Sequence, residues 1–211
     1  MRFEEDIDEL ECRWTELLRK RPKTTSDAQE MEHVREALTR ALLQQSAHLY
    51  EELSAIGIRI KSIWDLVNTP TGYPEAIPIL VEHLAKPYHH RTKEGIVRAL
   101  AVKGAKGIAN KTIMNEYRKA PKEDAAHPWI FHFRWAFGNT MRVIVTEDDL
   151  DELTDIVLDK RNGDSRNMFI RALAKLKSPR VMHVLNTLAG DKSRLVAEEA
   201  LKALKRKRPA N

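Results

Sequence analysis

Residues 165–177 of the chain read SRNMFIRALAKLK, and residues 193–205 repeat this pattern as SRLVAEEALKALK, 28 positions further on. Both copies start with Ser-Arg and carry an Ala-Leu pair and a Leu-Lys pair at matching positions. A helical phrase repeated at an interval of this length is typical of stacked helical hairpins, because one hairpin alone cannot bury its apolar face. Leu173 and Leu201, the leucines of the two Ala-Leu pairs, are therefore predicted to be equivalent core residues.

Weaker copies of the same phrase lie upstream. One starts at Thr92 and ends in the Ala-Leu pair at 99–100, and residues 135–138 (WAFG) lie midway between it and the C-terminal copies. The intervening segments have apolar residues at helical spacing and are separated by glycine, proline and Asn-Gly-Asp breaks. We predict an all-α chain in which residues 58–211 form a repeat domain of about four helix pairs.

The N-terminal part is predicted to form a helical hairpin over residues 1–57 that caps the repeats as part of one continuous unit. Apolar residues follow helical spacing over residues 3–19, and a near-heptad stripe over residues 27–56 ends at Gly57, which fits a helix C-cap. A short helix over 58–68 then leads into the repeats. Repeat arrays need covered ends, which favours a cap. The coiled-coil spacing leaves a second interpretation open, namely a hairpin for dimerisation or partner binding.

The composition indicates a charge-rich helical protein. The chain has 211 residues, of which 42% are hydrophobic and 32% charged, with a net charge of +5 and a pI near 9.3. Residues 142–145 (RVIV) are the one strand-like run, and it is too isolated to build a sheet. Cys12 is the single cysteine, which excludes an internal disulfide and a cysteine-based zinc cage. The acidic start and the lack of an apolar run of ~20 residues predict a cytoplasmic protein without a membrane segment.

The repeat pattern resembles that of the HEAT-repeat family over residues 73–207. The shared features are a proline at the start of a first helix, an aspartate in the turn and an arginine after it. They correspond here to Pro179 and Pro74, to Asp164 and Asp191, and to Arg166 and Arg194. The resemblance implies a right-handed α-α superhelix of antiparallel helix pairs, most often serving as a scaffold. Residues 127–129 (HPW) depart from the motif in the second repeat.

The repeated arginines and a second set of cations have different predicted roles. We expect Arg166 and Arg194 to pack their stems at the margin of the core and to pair with turn aspartates. A basic row is predicted to face away from the core along the second helices, which line the concave surface in HEAT-like stacks. Its members are Arg98, Arg134, Arg171, Lys175 and Lys202. Such a row can bind phosphates or an acidic protein, although glutamates interrupt it as they would a solvated helix face.

Five aromatic residues alternate along residues 129–137, and this helix is predicted to be buried nearly all round. Trp135 and Phe131 are the alternative candidates for a stacking platform in the groove. A few HEAT-like proteins are DNA glycosylases that use groove tryptophans and a carboxylate, so the resemblance adds a base-excising enzyme as a third possibility. The sequence offers no carboxylate that can be placed in that role.

No chemistry-bearing motif accompanies these features. The histidines make no i, i+4 pair on a predicted helix, and there is no phosphate-binding loop or nucleophile elbow. We therefore predict no catalytic residue, no metal site and no cofactor. The chain is interpreted as a non-enzymatic binding module whose partner is a protein that presents an acidic or helical segment. Nucleic acid is the alternative partner.

Overall fold

The computed structural model describes residues 6–67 and 69–207, and within these ranges the regular structure is entirely helical. The α-helices there are α1 (Ile7–Arg19), α2 (Thr25–Gln45), α3 (Ala47–Ala55), α4 (Trp64–Val67), α5 (Ala76–Leu84), α6 (His90–Ala99), α7 (Asn110–Lys119), α8 (Trp129–Ile144), α9 (Leu150–Leu158), α10 (Asn167–Leu173), α11 (Arg180–Ala189) and α12 (Arg194–Lys207). In the described part of the chain no helix combines the length and the apolar character needed to cross a bilayer. The prediction of an all-α chain is confirmed.

From α5 onward the helices pack as consecutive pairs: α5 with α6, α7 with α8, α9 with α10, and α11 with α12. The second helices of these pairs, α6, α8, α10 and α12, also pack against one another in chain order, and α4 packs on α6. A continuous hydrophobic core follows this arrangement and extends from Leu49 in α3 to Leu204 in α12. Because α8 contacts α6, α7 and α10, it buries side chains on most of its circumference, as its aromatic sequence predicts.

The N-terminal hairpin consists of α1 and α2, which pack against each other. The prediction of one long helix over residues 27–56 is wrong, because the chain breaks at Ser46 between α2 and α3. The Ser46 hydroxyl donates to the carbonyl oxygen of Leu42 at 2.6 Å, and such bonds compete with the helix backbone and bend it. Gly57 follows α3 with a φ of 85°, so its predicted place at the helix C-terminus is confirmed.

Other predicted bounds are partly right. α1 accounts for the described part of the predicted helix over residues 3–19; residues 3–5 lie outside the described ranges. The predicted helix over 58–68 is reduced to α4, because the Asp65 carboxylate accepts two preceding backbone N–H groups and forms a turn instead. Its last residue, 68, is also outside the description. The strand-like run at 142–145 lies at the C-terminal end of α8, which continues to Ile144.

The predicted arginine–aspartate pairing is confirmed for one of the two repeats. The Arg166 guanidinium donates two parallel hydrogen bonds to the buried Asp191 carboxylate, at 3.0 and 2.8 Å. Burial acts to raise the pKa of Asp191, but the hydrogen bonds from Arg166 and the Ser193 backbone, together with nearby positive charge, outweigh it and lower this pKa. Arg194 is exposed and pairs with Glu198 on its own helix, so its predicted role is wrong. Within the described ranges no further helix pair follows α12 to supply a turn aspartate.

Helices α8 and α10 approach closely at Gly138. A Cβ atom there would lie 2.7 Å from Cβ of Met168 and 3.0 Å from the backbone nitrogen of Phe169. We expect Gly138→Val to cost about 2–3 kcal/mol of unfolding free energy in urea titrations, because the neighbouring atoms cannot rotate away. Gly190→Val is the control, since its nearest atom is 3.8 Å away, and should change stability by about 0.5 kcal/mol or less. Equal stability of the two variants would contradict a rigid α8–α10 contact.

Candidate functional site

A groove lined by cations lies on the second helices α8, α10 and α12 and has a volume of about 460 Å³. We call it the basic groove. Its lining residues are Arg142, Arg171, Ala174, Lys175, Glu199, Lys202, Ala203, Arg206 and Lys207. Arg171 lies in the last turn of α10, and Ala174 and Lys175 directly follow that helix, whereas steps of three and four residues bring the contributions of α12 onto one helix face. The two alanines add methyl groups between the charged side chains.

Of the described residues, six cations and one carboxylate line the basic groove. The carboxylate of Glu199 is buried and accepts a hydrogen bond from Arg171 at 2.9 Å. Lys175 and Lys207 donate to backbone carbonyl oxygens at 2.6 and 2.8 Å, which directs their ammonium groups across the helix ends. Within the described ranges, Arg171 is thus the one groove cation with a carboxylate at salt-bridge distance, and Arg142, Lys202 and Arg206 have neither a carboxylate nor a carbonyl partner. The groove is therefore a site of unbalanced positive charge.

Three members of the predicted basic row lie together in this groove, namely Arg171, Lys175 and Lys202. Arg98 does not join them. Its guanidinium pairs with Glu94 at 2.7 Å and lies 5.8 Å from the ring centroids of both Trp64 and Trp135. These contacts hold Arg98 between two indole rings, in the geometry of a cation–π interaction.

Arg134 contradicts the prediction of an exposed position, because its side chain is fully buried. The guanidinium lies 4.0 Å from the ring centroid of Tyr117 and donates to the carbonyl oxygens of Tyr117 and Ala120, both at 3.1 Å. Further bonds reach the Pro121 carbonyl and the side chains of Asn162 and Ser165. Arg134 falls one residue away from the register of Arg98 and Arg171. Because α8 is packed on three sides, this offset of one residue places the Arg134 side chain in the core.

The predicted aromatic platform is not part of the basic groove. Trp135 is half-buried, and Arg98 covers its ring. Phe131 is also half-buried, with its ring edge-to-face against His132. Neither residue lines the groove that holds the cations. Any stacking on Trp135 would have to displace Arg98 from its ring.

Three residues of the groove lie outside the predicted basic row: Arg142, Arg206 and Lys207. Arg142 belongs to the run at 142–145 that the sequence pattern marks as strand-like, so it was not assigned to the helix that α8 forms. Arg206 and Lys207 belong to a basic helix C-terminus, which the helix dipole alone can explain. Extending the register of Lys202 by one turn would have placed Arg206 beside it.

A separate cluster joins α1 to the start of α6. His89 Nε2 lies 3.4 Å from one oxygen of the Glu11 carboxylate, and His90 Nε2 lies 3.2 Å from the other. Arg91 also donates to Glu11. Burial acts to raise the pKa of Glu11, but the nearby imidazoles of His89 and His90 and the hydrogen bond from Arg91 together outweigh it and hold this pKa well below its usual range. Burial lowers the pKa of His90, against the opposing effect of Glu11.

A second histidine–carboxylate cluster, Glu52, Glu82 and His83, lies between α3 and α5 and is built differently. The Lys86 ammonium is 3.0 Å from both His83 Nε2 and Glu82 Oε1 and 3.8 Å from Glu52 Oε1. A positive charge therefore already lies among these ligand atoms. Burial lowers the pKa of His83, which favours the neutral imidazole next to that ammonium.

Comparison with known proteins leaves the function to be argued from this geometry: no family model matches the sequence, and neither a curated protein nor a solved structure is significantly similar to it.

Proposed function

We propose that the chain is a non-enzymatic binding module that holds an acidic protein segment in the basic groove. In this proposal the helix pairs form a HEAT-like superhelix, the N-terminal hairpin is its cap, and the second helices form the binding face. The serial packing of α6, α8, α10 and α12 supports this arrangement, as does the buried Arg166–Asp191 pair between consecutive repeats.

The observation that carries the proposal is the charge of the basic groove. Five of its six cations lack a carboxylate partner within the described ranges, so the groove attracts an anionic ligand without first having to break internal ion pairs. The alanine methyl groups between them offer apolar contact as well. A short segment of glutamates or aspartates on an extended or helical backbone fits both features.

The limited extent of the charge favours a protein segment over nucleic acid. A nucleic-acid groove normally follows several phosphates along a continuous basic track. Here the predicted track is interrupted, because Arg134 is buried and Arg98 is engaged by Glu94 and two tryptophans. A base-excising activity gains no support, since the groove's carboxylate, Glu199, is tied to Arg171 and the aromatic candidates lie elsewhere.

Charge reversal of the unpaired cations tests the proposal. The variant Arg142→Glu/Lys202→Glu/Arg206→Glu should keep its melting temperature, since exposed charges contribute ~0–1 kcal/mol each to stability. Its affinity for a fluorescein-labelled Glu-rich peptide should fall about 100-fold, because three contacts of ~1 kcal/mol each are lost or reversed. Fluorescence anisotropy at two salt concentrations measures both the affinity and its electrostatic part.

The matched control is Lys103→Glu/Lys111→Glu/Lys192→Glu, which changes the net charge equally at exposed positions outside the groove. It should bind the peptide nearly as the unmodified chain does. Equal losses in both variants would mean that overall charge, and not the groove, attracts the peptide. Binding of single-stranded DNA without binding of the peptide, lost selectively in the groove variant, would replace our proposal with the nucleic-acid alternative.

A further inference from the structure

We propose that Glu11, His89 and His90 form a binding site for a divalent transition-metal ion of the Zn²⁺ class, which ties α1 to the start of α6. The inference is independent of the basic groove. It rests on the geometry of the three ligand atoms, on an unpaired ring nitrogen, and on the chemistry of the donor set.

The candidate ligand atoms lie close enough together to surround one metal ion. The three residues can each offer one atom so that all lie within 4.8 Å of one another. The shortest nitrogen–oxygen separations are 3.4 Å for His89 and 3.2 Å for His90, each to an oxygen of Glu11. Zinc–ligand bonds of about 2.0–2.1 Å imply a tetrahedron edge of roughly 3.3–3.4 Å. An ion therefore fits with small side-chain adjustments.

The second observation is the state of His89. Its side chain is only 7% exposed, and its Nε2 atom is buried without a hydrogen-bond partner. Buried polar atoms are nearly always paired, so an unpaired ring nitrogen directed at carboxylates points to a missing ligand. Asp8, one turn before Glu11, has a carboxylate oxygen 3.4 Å from the same nitrogen.

The local backbone explains how two consecutive histidines converge. His89 is the extended N-cap of α6 (φ −55°, ψ 146°), and His90 is the first residue of that helix. Their ring centroids are 4.2 Å apart. Stacking of His90 on Trp129, with centroids 3.7 Å apart, fixes the second ring. His90 also lines a cavity of about 470 Å³ between the N-terminal hairpin and α6.

The donor set selects the class of metal. Two imidazole nitrogens with one or two carboxylates suit Zn²⁺ and its neighbours, whereas Mg²⁺ and Ca²⁺ prefer oxygen ligands throughout. Binding through Nε2 moves the neutral ring proton of His89 to Nδ1, which gives up a long 3.4 Å hydrogen bond from the Arg91 backbone N–H. The Arg91 side chain keeps its bond to Glu11 and orients the carboxylate from outside.

The cluster of Glu52, Glu82 and His83 provides an internal contrast. There the Lys86 ammonium contacts a ligand atom of all three residues, so a metal ion would have to displace it, whereas Arg91 in the first cluster contacts only the Glu11 carboxylate. We therefore expect one zinc ion per chain at the first cluster and none at the second.

Isothermal titration of the full chain with ZnCl₂, after dialysis against a chelator, tests the site. We expect one ion per chain, a rise in melting temperature that a chelator reverses, and no response to MgCl₂. His89→Asn keeps an N-cap side chain but loses Nε2, and should weaken zinc binding at least tenfold. The matched control, His127→Asn, removes an exposed histidine that pairs with Asp124, and should bind zinc as the unmodified chain does.

Glu11→Gln is the second variant, and it tests the zinc site independently if His89→Asn fails to fold. It retains the shape of Glu11 and removes its negative charge, so zinc binding should again fall at least tenfold. Absence of stoichiometric zinc binding by the unmodified chain would overturn the proposal. Zinc binding that survives in both variants, or that is lost equally in His127→Asn, would overturn it as well, because the ion would then lie elsewhere.

Discussion

Replacing Arg134 with methionine is expected to destabilise the protein by about 3–5 kcal/mol. Among the described residues the buried guanidinium donates to three backbone carbonyl oxygens and two side chains of neighbouring segments. Methionine fills much of the same volume but leaves the carbonyl groups of Tyr117 and Ala120 unpaired in the core. Because small domains unfold at a cost of only about 5–15 kcal/mol, the loss should be visible as a large shift of the urea midpoint.

Arg142→Met is the matched control, since Arg142 lies two turns further along α8 and is exposed. Its stability should change by about 0.5 kcal/mol or less. Arg134→Lys should also be strongly destabilised, because one ammonium cannot replace a planar fork that reaches carbonyls on several segments. If Arg134→Met melted like the control, water would have to enter and satisfy the carbonyl groups, and the buried guanidinium would not hold the α7–α8 connection.

The features that sequence could predict are those set by local periodicity and local chemistry. The repeated phrase around Leu173 predicts the helix pairs, because the helical spacing of apolar residues does not depend on which elements the pairs pack against. Gly57 is recognisable as a helix end from local chemistry, because the residue after a helix often adopts a left-handed conformation and glycine does so without strain. The buried partner of Arg166 follows from the turn aspartate one repeat later, Asp191.

The candidate sites depend on packing that the sequence pattern does not contain. Arg134 and Arg142 are both cations on α8. The rotation of that helix among its three neighbours places Arg134 in the core and Arg142 in the basic groove. A shift of one residue in register is enough to reverse the prediction for Arg134. Helix length mattered as well, because Arg142 lies in a run that the sequence pattern marks as strand-like, whereas α8 continues to Ile144.

The cluster of Glu11, His89 and His90 could not be predicted from the sequence for a different reason. Rules for metal sites search for ligands at fixed spacing on one helix, and His89 and His90 do not have it. Their third partner, Glu11, lies far away in sequence; its ion pair with Arg91 spans 80 residues. The contact exists only because α1 returns to the start of α6. No local pattern around residue 11 marks that carboxylate as different from its acidic neighbours.

Leu173→Ala is expected to cost about 2–5 kcal/mol, whereas its repeat counterpart Leu201→Ala should cost about 0.5 kcal/mol or less. Sequence alone makes the two leucines equivalent, but Leu173 is 0% exposed and Leu201 is 54% exposed. α10 is covered on both sides by α8 and α12, while within the described ranges no second helix packs on the far side of α12. Urea denaturation of both variants measures the difference directly. Large losses of unfolding free energy in both variants would mean that a further element or a second molecule covers Leu201 in solution. Equal and small losses would mean that the repeat core is not closed around Leu173.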